Sequence, residues 1–263
     1  MSIPKIIHYC WFGRGSKPEL ALKCIDSWKR HCPDYEIIEW NEDNYDISLA
    51  PLYVRQAYAS QKWAFATDYI RLDVVHKHGG IYLDTDVELL SSLDKFLIHN
   101  SFFAFEDEQL ISTGLGFGSQ KGEPILEEIA SDYSRIPFIL SDGSLDTLPC
   151  TERNTKVFLN HGLKLTGEYQ NLNGGIAVYP PDFFNPKSYQ TGKITITDKT
   201  VSVHHFDASW KSPEQKKAME AYRKITKKYG LIAGERILLA KRLLRDEGVA
   251  SLFSRIFHHF TRK

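Results

Sequence analysis

Shortages narrow the chain first. Its 263 residues hold only four cysteines, Cys10, Cys24, Cys32 and Cys150, with no C-x-x-C pair and no metal-ligand spacing. That excludes a zinc ribbon or a disulfide scaffold and reads as reduced thiols. Net charge is missing too, because 33 Lys and Arg meet 33 Asp and Glu. No global field draws the chain to nucleic acid, and no nucleic-acid partner is expected. No apolar run approaches the roughly 20 residues of a membrane span. The opening MSIPKIIHYC lacks the basic start and apolar centre of a secretion signal, so the expected location is the cytoplasm. There is no internal repeat and no low-complexity tract.

What is present suffices for a folded domain: 42% hydrophobic and 25% charged residues can bury one core with an appendage. The aromatic share of 13% suits stacking against rings, although packed cores use aromatics equally. KIIHYCWF (5–12) is a short apolar run closed by GRGSKP, a strand and a turn. PELALKCIDSWKRHC repeats apolar groups at Ala21, Cys24, Ile25, Trp28 and Cys32, the stripe of an amphipathic helix. YEIIEWN (35–41) is a second strand, so the start is a βαβ unit with parallel pairing.

PLYVRQAYAS and KWAFATDYIRLDVVHKH read as helices, the second apolar all round and therefore buried. It nevertheless carries Asp68, Arg71 and Asp73, and burying charge is costly unless it is paired or used. Gly79 and Gly80 end that helix, and IYLDTDVELL enters a strand. Short strands (SFFAFED, LGFGS, IAVYP) then alternate with helices near 122–134 and 151–161. GKITITDKTVSVHHF predicts a hairpin, and 213–229 a charged surface helix.

Asp84 and Asp86 sit with a single residue between them at the end of a buried apolar run. A chain turning off its strand can present both carboxylates to one point, where a divalent cation relieves their repulsion. A cation with open positions can bridge a diphosphate and neutralise charge on a departing nucleotide. Two chemistries follow. One is glycosyl transfer from a nucleotide sugar. The other is phosphoryl transfer, since the run also resembles the DxDx[TV] motif of haloacid-dehalogenase-type phosphatases, with Asp84 as nucleophile. That motif belongs on a first strand and needs a GDxxxD-like acidic pair downstream, and neither condition is met.

IPKIIHYCWFG, SWKRHCPDYEIIEWN and ATDYIRLDVVHKHGGIYLDTDVELL, in that order and spacing, resemble the DxD-containing sugar transferases of glycosyltransferase family 32. That family takes in fungal Golgi mannosyltransferases and bacterial capsule- and exopolysaccharide-synthesis enzymes, and its core is similar to the clostridial toxin glucosyltransferase domain. The match covers about residues 3–90 and returns at HHFDASW (204–210). The resemblance implies a GT-A fold, an α/β architecture with a mixed, mainly parallel central sheet and helices on both faces. It also implies a nucleotide-sugar donor, Mn2+ or Mg2+, and retention of anomeric configuration.

Carried over by position, Trp11 would stack on the base, Asp68 would contact ribose or sugar, and Arg71 the sugar and phosphates. Tyr82 would line the donor pocket, Asp84 would meet the ribose or reach the metal, and Asp86 would bind the metal. His205 would complete the metal site, with His204 the alternative, and Ser209 and Trp210 would close over the diphosphate. Read from the residues alone, Trp11 and Tyr82 also fit core positions, Asp68 and Arg71 a buried structural ion pair, and the histidines an exposed hairpin. Where the family carries a TGP-like turn, this chain has LPCTERNT (148–155).

The expected function is therefore a retaining, metal-dependent glycosyltransferase using a UDP-sugar, favoured over GDP-sugar by the Trp-bearing first strand. The expected acceptor is a glycan or lipid-linked oligosaccharide of capsular or extracellular polysaccharide. A protein acceptor and a non-catalytic nucleotide-sugar binder are the alternatives. The expected domains are a transferase over 1–230 and a basic amphipathic appendage over 231–263. That tail holds seven Lys and Arg against three Asp and Glu. Its Leu252, Phe253, Ile256, Phe257 and Phe260 stripe suits either an anionic membrane surface at the inner face or packing on protein.

Overall fold

The computed structural model describes residues 2–207 and 213–246. They form two compact units, residues 2–186 with 195–207 and residues 187–194 with 213–246.

The first unit begins as its sequence predicts: β1 (Ile6–Cys10), α1 (Glu19–His31) and β2 (Glu36–Trp40). β1 and β2 pair in parallel, Ile6 opposite Glu36 and Cys10 opposite Trp40. α1 turns Ala21, Cys24, Ile25 and Trp28 inward, while Lys29, Arg30 and His31 fill its last turn, where positive charge suits the helix dipole. α2 (Leu52–Ala59) and α3 (Trp63–His78) follow. α3 is buried along most of its length, as its all-round apolar sequence requires.

Then come β3 (Gly80–Tyr82), β4 (Val87–Leu89), β5 (Ser101–Phe105), β6 (Ile111–Ser112) and β7 (Phe117–Ser119). α4 (Pro124–Arg135), α5 (Cys150–Asn160), β8 (Gln170–Leu172), β9 (Ile176–Tyr179), α6 (Pro181–Phe184) and β10 (Ser202–His204) complete the unit. The main sheet runs β2-β1-β3-β7-β5-β9-β8, with β6 on β5, and β4 pairs with β10 in a separate two-stranded ribbon. Pairing directions make β1, β2, β3, β5 and β9 run one way and β6, β7 and β8 the other. The sheet is mixed and mainly parallel, as expected.

Alternation along the strands divides the interior into two cores. Tyr82, Phe103 and Phe105 face one core with residues of α2, α3, α4 and α5. Ile81, Leu83, Phe102 and Ala104 face the other with Cys24, Ile25 and Trp28 of α1 and Phe184 of α6. Helices thus cover both faces. Four cysteines are free. No described helix is long and apolar enough to cross a membrane.

The hairpin expected over 192–206 does not form. Only its second half becomes a strand, β10, which pairs antiparallel with β4 rather than with its own first half. Val201 and Val203 are buried there, whereas Ile194 and Ile196 are exposed. Alternation alone could not tell the half with a packing partner from the half without one.

The second unit holds α7 (Pro213–Tyr229) and α8 (Leu231–Asp246). Tyr222 donates to Glu235 across the helix pair at 3.0 Å, and Thr226 and Arg223 donate to the Gln190 and Tyr189 carbonyls of the 187–194 segment. The apolar stripe expected over 252–260 lies outside the described residues.

Candidate active site

The aspartate pair is set by a turn. Gly80 opens β3 at φ +107, where a Cβ would lie 2.8 Å from the Ile6 carbonyl oxygen, so only glycine lets β3 lie this close to β1. After Leu83 the chain leaves the sheet, and Val87 N–H donates back to the Asp84 carbonyl at 3.0 Å. The predicted strand over 81–90 is therefore broken at residues 84–86, which presents both side chains toward one point. α1 holds the far arm: Trp28 Nε1 donates to the Val87 carbonyl at 2.7 Å, and Leu89 N–H to Ser27 Oγ at 2.9 Å.

β10 brings the third group. Its register sets His204 opposite Val87. His204 Nε2 lies 3.1 Å from Asp86 Oδ1, and Asp86 Oδ2 accepts from the Asp207 N–H at 2.8 Å. Asp84, Asp86 and His204 each offer one ligand atom, all within 4.8 Å of one another. His205, the expected ligand, instead places Nε2 2.8 Å from Glu88 Oε2, an oxygen that Lys23 also reaches. The correction follows from strand parity: neighbouring residues on β10 face opposite ways, and the register with β4 gives the Asp86 side to His204.

α3 supplies charge from the other side. Arg71 lies 3.0 Å from Asp68 and 3.4 Å from Asp84, and its Nε donates to the Thr67 carbonyl. Its guanidinium stacks 5.1 Å from the centre of the Tyr82 ring. That ring is buried, and its hydroxyl donates to Asp84 Oδ1 at 3.0 Å. Tyr82 is thus a core residue whose tip reaches the site.

Burial lifts the Asp68 carboxyl to about 6, although Arg71 opposes the shift. Burial likewise raises Asp84, against Arg71 and reinforced by the charge of Asp86. Burial would raise Asp86 as well, but its contacts with His204 and the Asp207 N–H outweigh it and hold Asp86 well below the carboxylate range. Burial alone would depress His204; the Asp86 and Asp84 charges overcome that and raise it. Its Nδ1 is buried without a hydrogen-bond partner among the described residues. Two carboxylates and one imidazole, the latter with a buried ring nitrogen lacking a partner among the described residues, fit a divalent cation that accepts oxygen and nitrogen, such as Mn2+ or Mg2+.

Trp11 follows β1 and is part-exposed. Lys17 stands 5.6 Å over its ring, and its Nε1 donates to the Gly15 carbonyl. It lies in the loop between β1 and α1 and packs against the core that Leu83 and Val87 also join. Ser209 and Trp210 fall outside the described residues.

Nothing in the sequence singles out Gly114. A Cβ there would lie 2.6 Å from Asp84 Oδ2 and 3.2 Å from Arg71 Nη1. The run STGLGFGS offered glycines but no sign of which one met the aspartates.

The family described as "Glycosyltransferase sugar-binding region containing DXD motif" matches residues 18–103. Inositol phosphoceramide mannosyltransferase 3 of Schizosaccharomyces pombe is 31% identical over 145 residues, 52% of this chain and 39% of that protein. An uncharacterized glycosyltransferase, L373, of Acanthamoeba polyphaga mimivirus is 30% identical over 139 residues, 48% of this chain and 54% of that one. The chain thus spans well under two thirds of these relatives. Among solved structures, PaToxG glycosyltransferase aligns at TM-score 0.48 and 21% identity, over 60% of this chain and 69% of that one. A glycosyltransferase involved in glycosylating the major capsid of PBCV-1 aligns at TM-score 0.43 and 15% identity, over 82% and 100%. Asp84 and Asp86 lie inside the region, residues 18–103, that is similar to the DXD-motif glycosyltransferase family.

Proposed function

We propose that the protein is a retaining, metal-dependent glycosyltransferase that moves a hexosyl group from a nucleotide-diphosphate sugar to a glycan acceptor. UDP is favoured over GDP as the nucleotide. The observation that carries the reading is the convergence of Asp84, Asp86 and His204 on one point beside the Asp68–Arg71 pair. A cation held by those three residues would neutralise charge developing on the departing diphosphate.

The chain's own residues do the rest. Arg71, shared between Asp68 and Asp84, fixes Asp84 and adds positive charge near the leaving group. Trp11 offers the ring face away from Lys17 to the base, a contact worth about 1–3 kcal/mol by analogy with base stacking elsewhere. Asp68 meets ribose or sugar hydroxyls, Tyr82 holds Asp84, and Ser209 and Trp210 cover the diphosphate. Transfer is front-face: the acceptor oxygen bonds the anomeric carbon on the side from which the diphosphate leaves, and its proton passes to the departing phosphate oxygen.

The acceptor proposed is lipid-linked, in capsular or extracellular polysaccharide assembly at the inner face of the membrane. The fungal relative's name, which couples mannosyl transfer to an inositol phosphoceramide, supports a lipid-borne acceptor. The arrangement proposed with it is a GT-A domain over 1–230 and a basic, membrane-facing appendage over 231–263.

The test is slow hydrolysis of a panel of UDP- and GDP-sugars with Mn2+, beside Asp86→Asn. The expected outcome is release of one sugar, lost on chelation and in the variant. Release that survives both would overturn the reading.

A further inference from the structure

β3 and β5 both flank β7 and both run antiparallel to it, so their C-terminal ends emerge at the same edge of the sheet. Asp84 lies just past the end of β3 and Glu106 just past the end of β5. Two strand spacings, about 10 Å, separate the two strands. The Ser112–Thr113–Gly114 segment, which leads into β7, fills part of that interval. At one end Gly114 closes against Asp84 and Arg71, where no Cβ would fit. At the other, Ser112 hydrogen-bonds the Glu106 carboxyl and also accepts from the Gly114 N–H at 3.3 Å. Thr113 between them is held by the buried Asn154, whose Nδ2 donates to its hydroxyl at 3.1 Å.

The Glu106 backbone is tied at both of its polar groups. Its N–H donates to the Leu110 carbonyl at 2.7 Å, and its carbonyl accepts from Asn185 Nδ2 at 2.8 Å. Its carboxyl lies within electrostatic reach of both His204 and Cys150. Cys150 in turn hydrogen-bonds Asp68 and adjoins Arg71. Glu106 thus lies within electrostatic reach both of His204, in the Asp84–Asp86–His204 group, and of the Cys150 thiol beside Asp68. Burial raises its carboxyl pKa, opposed by the His204 charge and the Ser112 hydrogen bond. The side chain still keeps some solvent access.

A carboxylate with one protein donor retains acceptor positions for two more. We propose that Glu106 determines sugar specificity: it accepts hydrogen bonds from two neighbouring hydroxyls of the donor's sugar ring. That chemistry selects a neutral hexose with free vicinal hydroxyls and rejects a uronic acid, whose own carboxylate would face that of Glu106. The inference rests on the transferase reading above but makes a separate claim, because the diphosphate is held elsewhere in the site.

The test measures Glu106→Gln, Glu106→Ala and, as a structural control, Ser112→Ala. Binding of the bare nucleoside diphosphate and of its hexose and uronic-acid sugars is followed by calorimetry with Mn2+, alongside donor hydrolysis. Tm values establish that each variant folds. Wild type should prefer the hexose donor. Both Glu106 variants should bind the bare diphosphate within about twofold of wild type but lose about 10- to 100-fold in affinity for the hexose donor. Glu106→Gln should also narrow the gap to the uronic-acid donor, and Ser112→Ala should leave that gap open. An unchanged hexose preference in Glu106→Gln, equal loss of bare-diphosphate binding, or a Ser112→Ala effect matching Glu106→Gln would overturn the proposal. If wild type binds no nucleotide sugar at all, the transferase reading falls with it; turnover in wild type with no effect at Glu106 sinks this inference alone.

Discussion

Asp86 and Asp84 hold unequal positions although they lie two residues apart. Asp86 meets His204 and a backbone N–H, whereas Asp84 meets Arg71 and the Tyr82 hydroxyl. Asp86→Asn should abolish Mn2+-dependent donor hydrolysis with Tm nearly kept. Arg71→Lys loses the fork that spans two carboxylates and should lower kcat by about 100-fold, measured by steady-state kinetics. Gly114→Ala is a sharper probe, since its new methyl would meet Asp84 Oδ2 at 2.6 Å. It should cut hydrolysis about tenfold or more through the displaced carboxylate, as a misplacement of about 1 Å is known to do. Wild-type rates in that variant would mean the Asp84 position does not matter. His204, raised by its acidic neighbours, must surrender a proton to bind a cation. Mn2+ binding should therefore release protons near neutral pH, which calorimetry in buffers of different ionisation enthalpy detects.

The elements that aim these side chains do so through a few buried polar contacts. Trp28 is fully buried and ties α1 to the strand after the aspartate turn. Trp28→Ala should cost about 3–5 kcal/mol in denaturant unfolding, with activity lost through the loosened turn. His8 gives a pH signature. Trp40 Nε1 donates to its Nδ1, so its Nε2 donates to the Gly79 carbonyl, and the ring sits neutral inside the sheet. Burial, aided by the charge of His78 and opposed by the Gly79 bond, lowers its pKa to about 4. The unfolded chain takes up a proton near pH 6.5 that the folded chain refuses. Stability should therefore be flat above that value and fall by about 3 kcal/mol as pH drops from 6.5 to 4, an effect absent in His8→Asn.

The same elements show what the sequence could disclose. The opening β1–α1–β2 unit was legible because its two periodicities and the turn between them are local. The aspartate pair was legible because charge at the end of an apolar run is unusual. The alternation over 192–206 does not make a hairpin because Ile194 and Ile196 alternate as well as Val201 and Val203 do, while the true partner of the second half, β4, lies more than a hundred residues away. His204 and His205 could not be ranked without the register between β10 and β4. Glu106 and Gly114 carry no local signal, since the sheet order alone brings them to the site.

At the scale of the whole molecule, the two faces of one mixed sheet divide the labour. α3 on one face carries Asp68 and Arg71, and α1 on the other holds the turn that carries Asp84 and Asp86. The site lies at the edge where β3 and β5 end, so both layers must be in place before its groups converge. The proposed membrane role of 231–263 belongs to this scale. A chain lacking those residues should keep donor hydrolysis but leave anionic phosphatidylglycerol vesicles in a sedimentation assay, and unchanged sedimentation would remove that role.

The most direct test of the acidic turn as a cation seat is Mn2+ titration followed by electron paramagnetic resonance, with UDP present, in wild type, His204→Ala and His205→Ala. One bound Mn2+ is expected in wild type and in His205→Ala, with affinity weakened about 10- to 100-fold in His204→Ala, as loss of a metal ligand commonly does. Equal binding in all three, or loss only in His205→Ala, would contradict it.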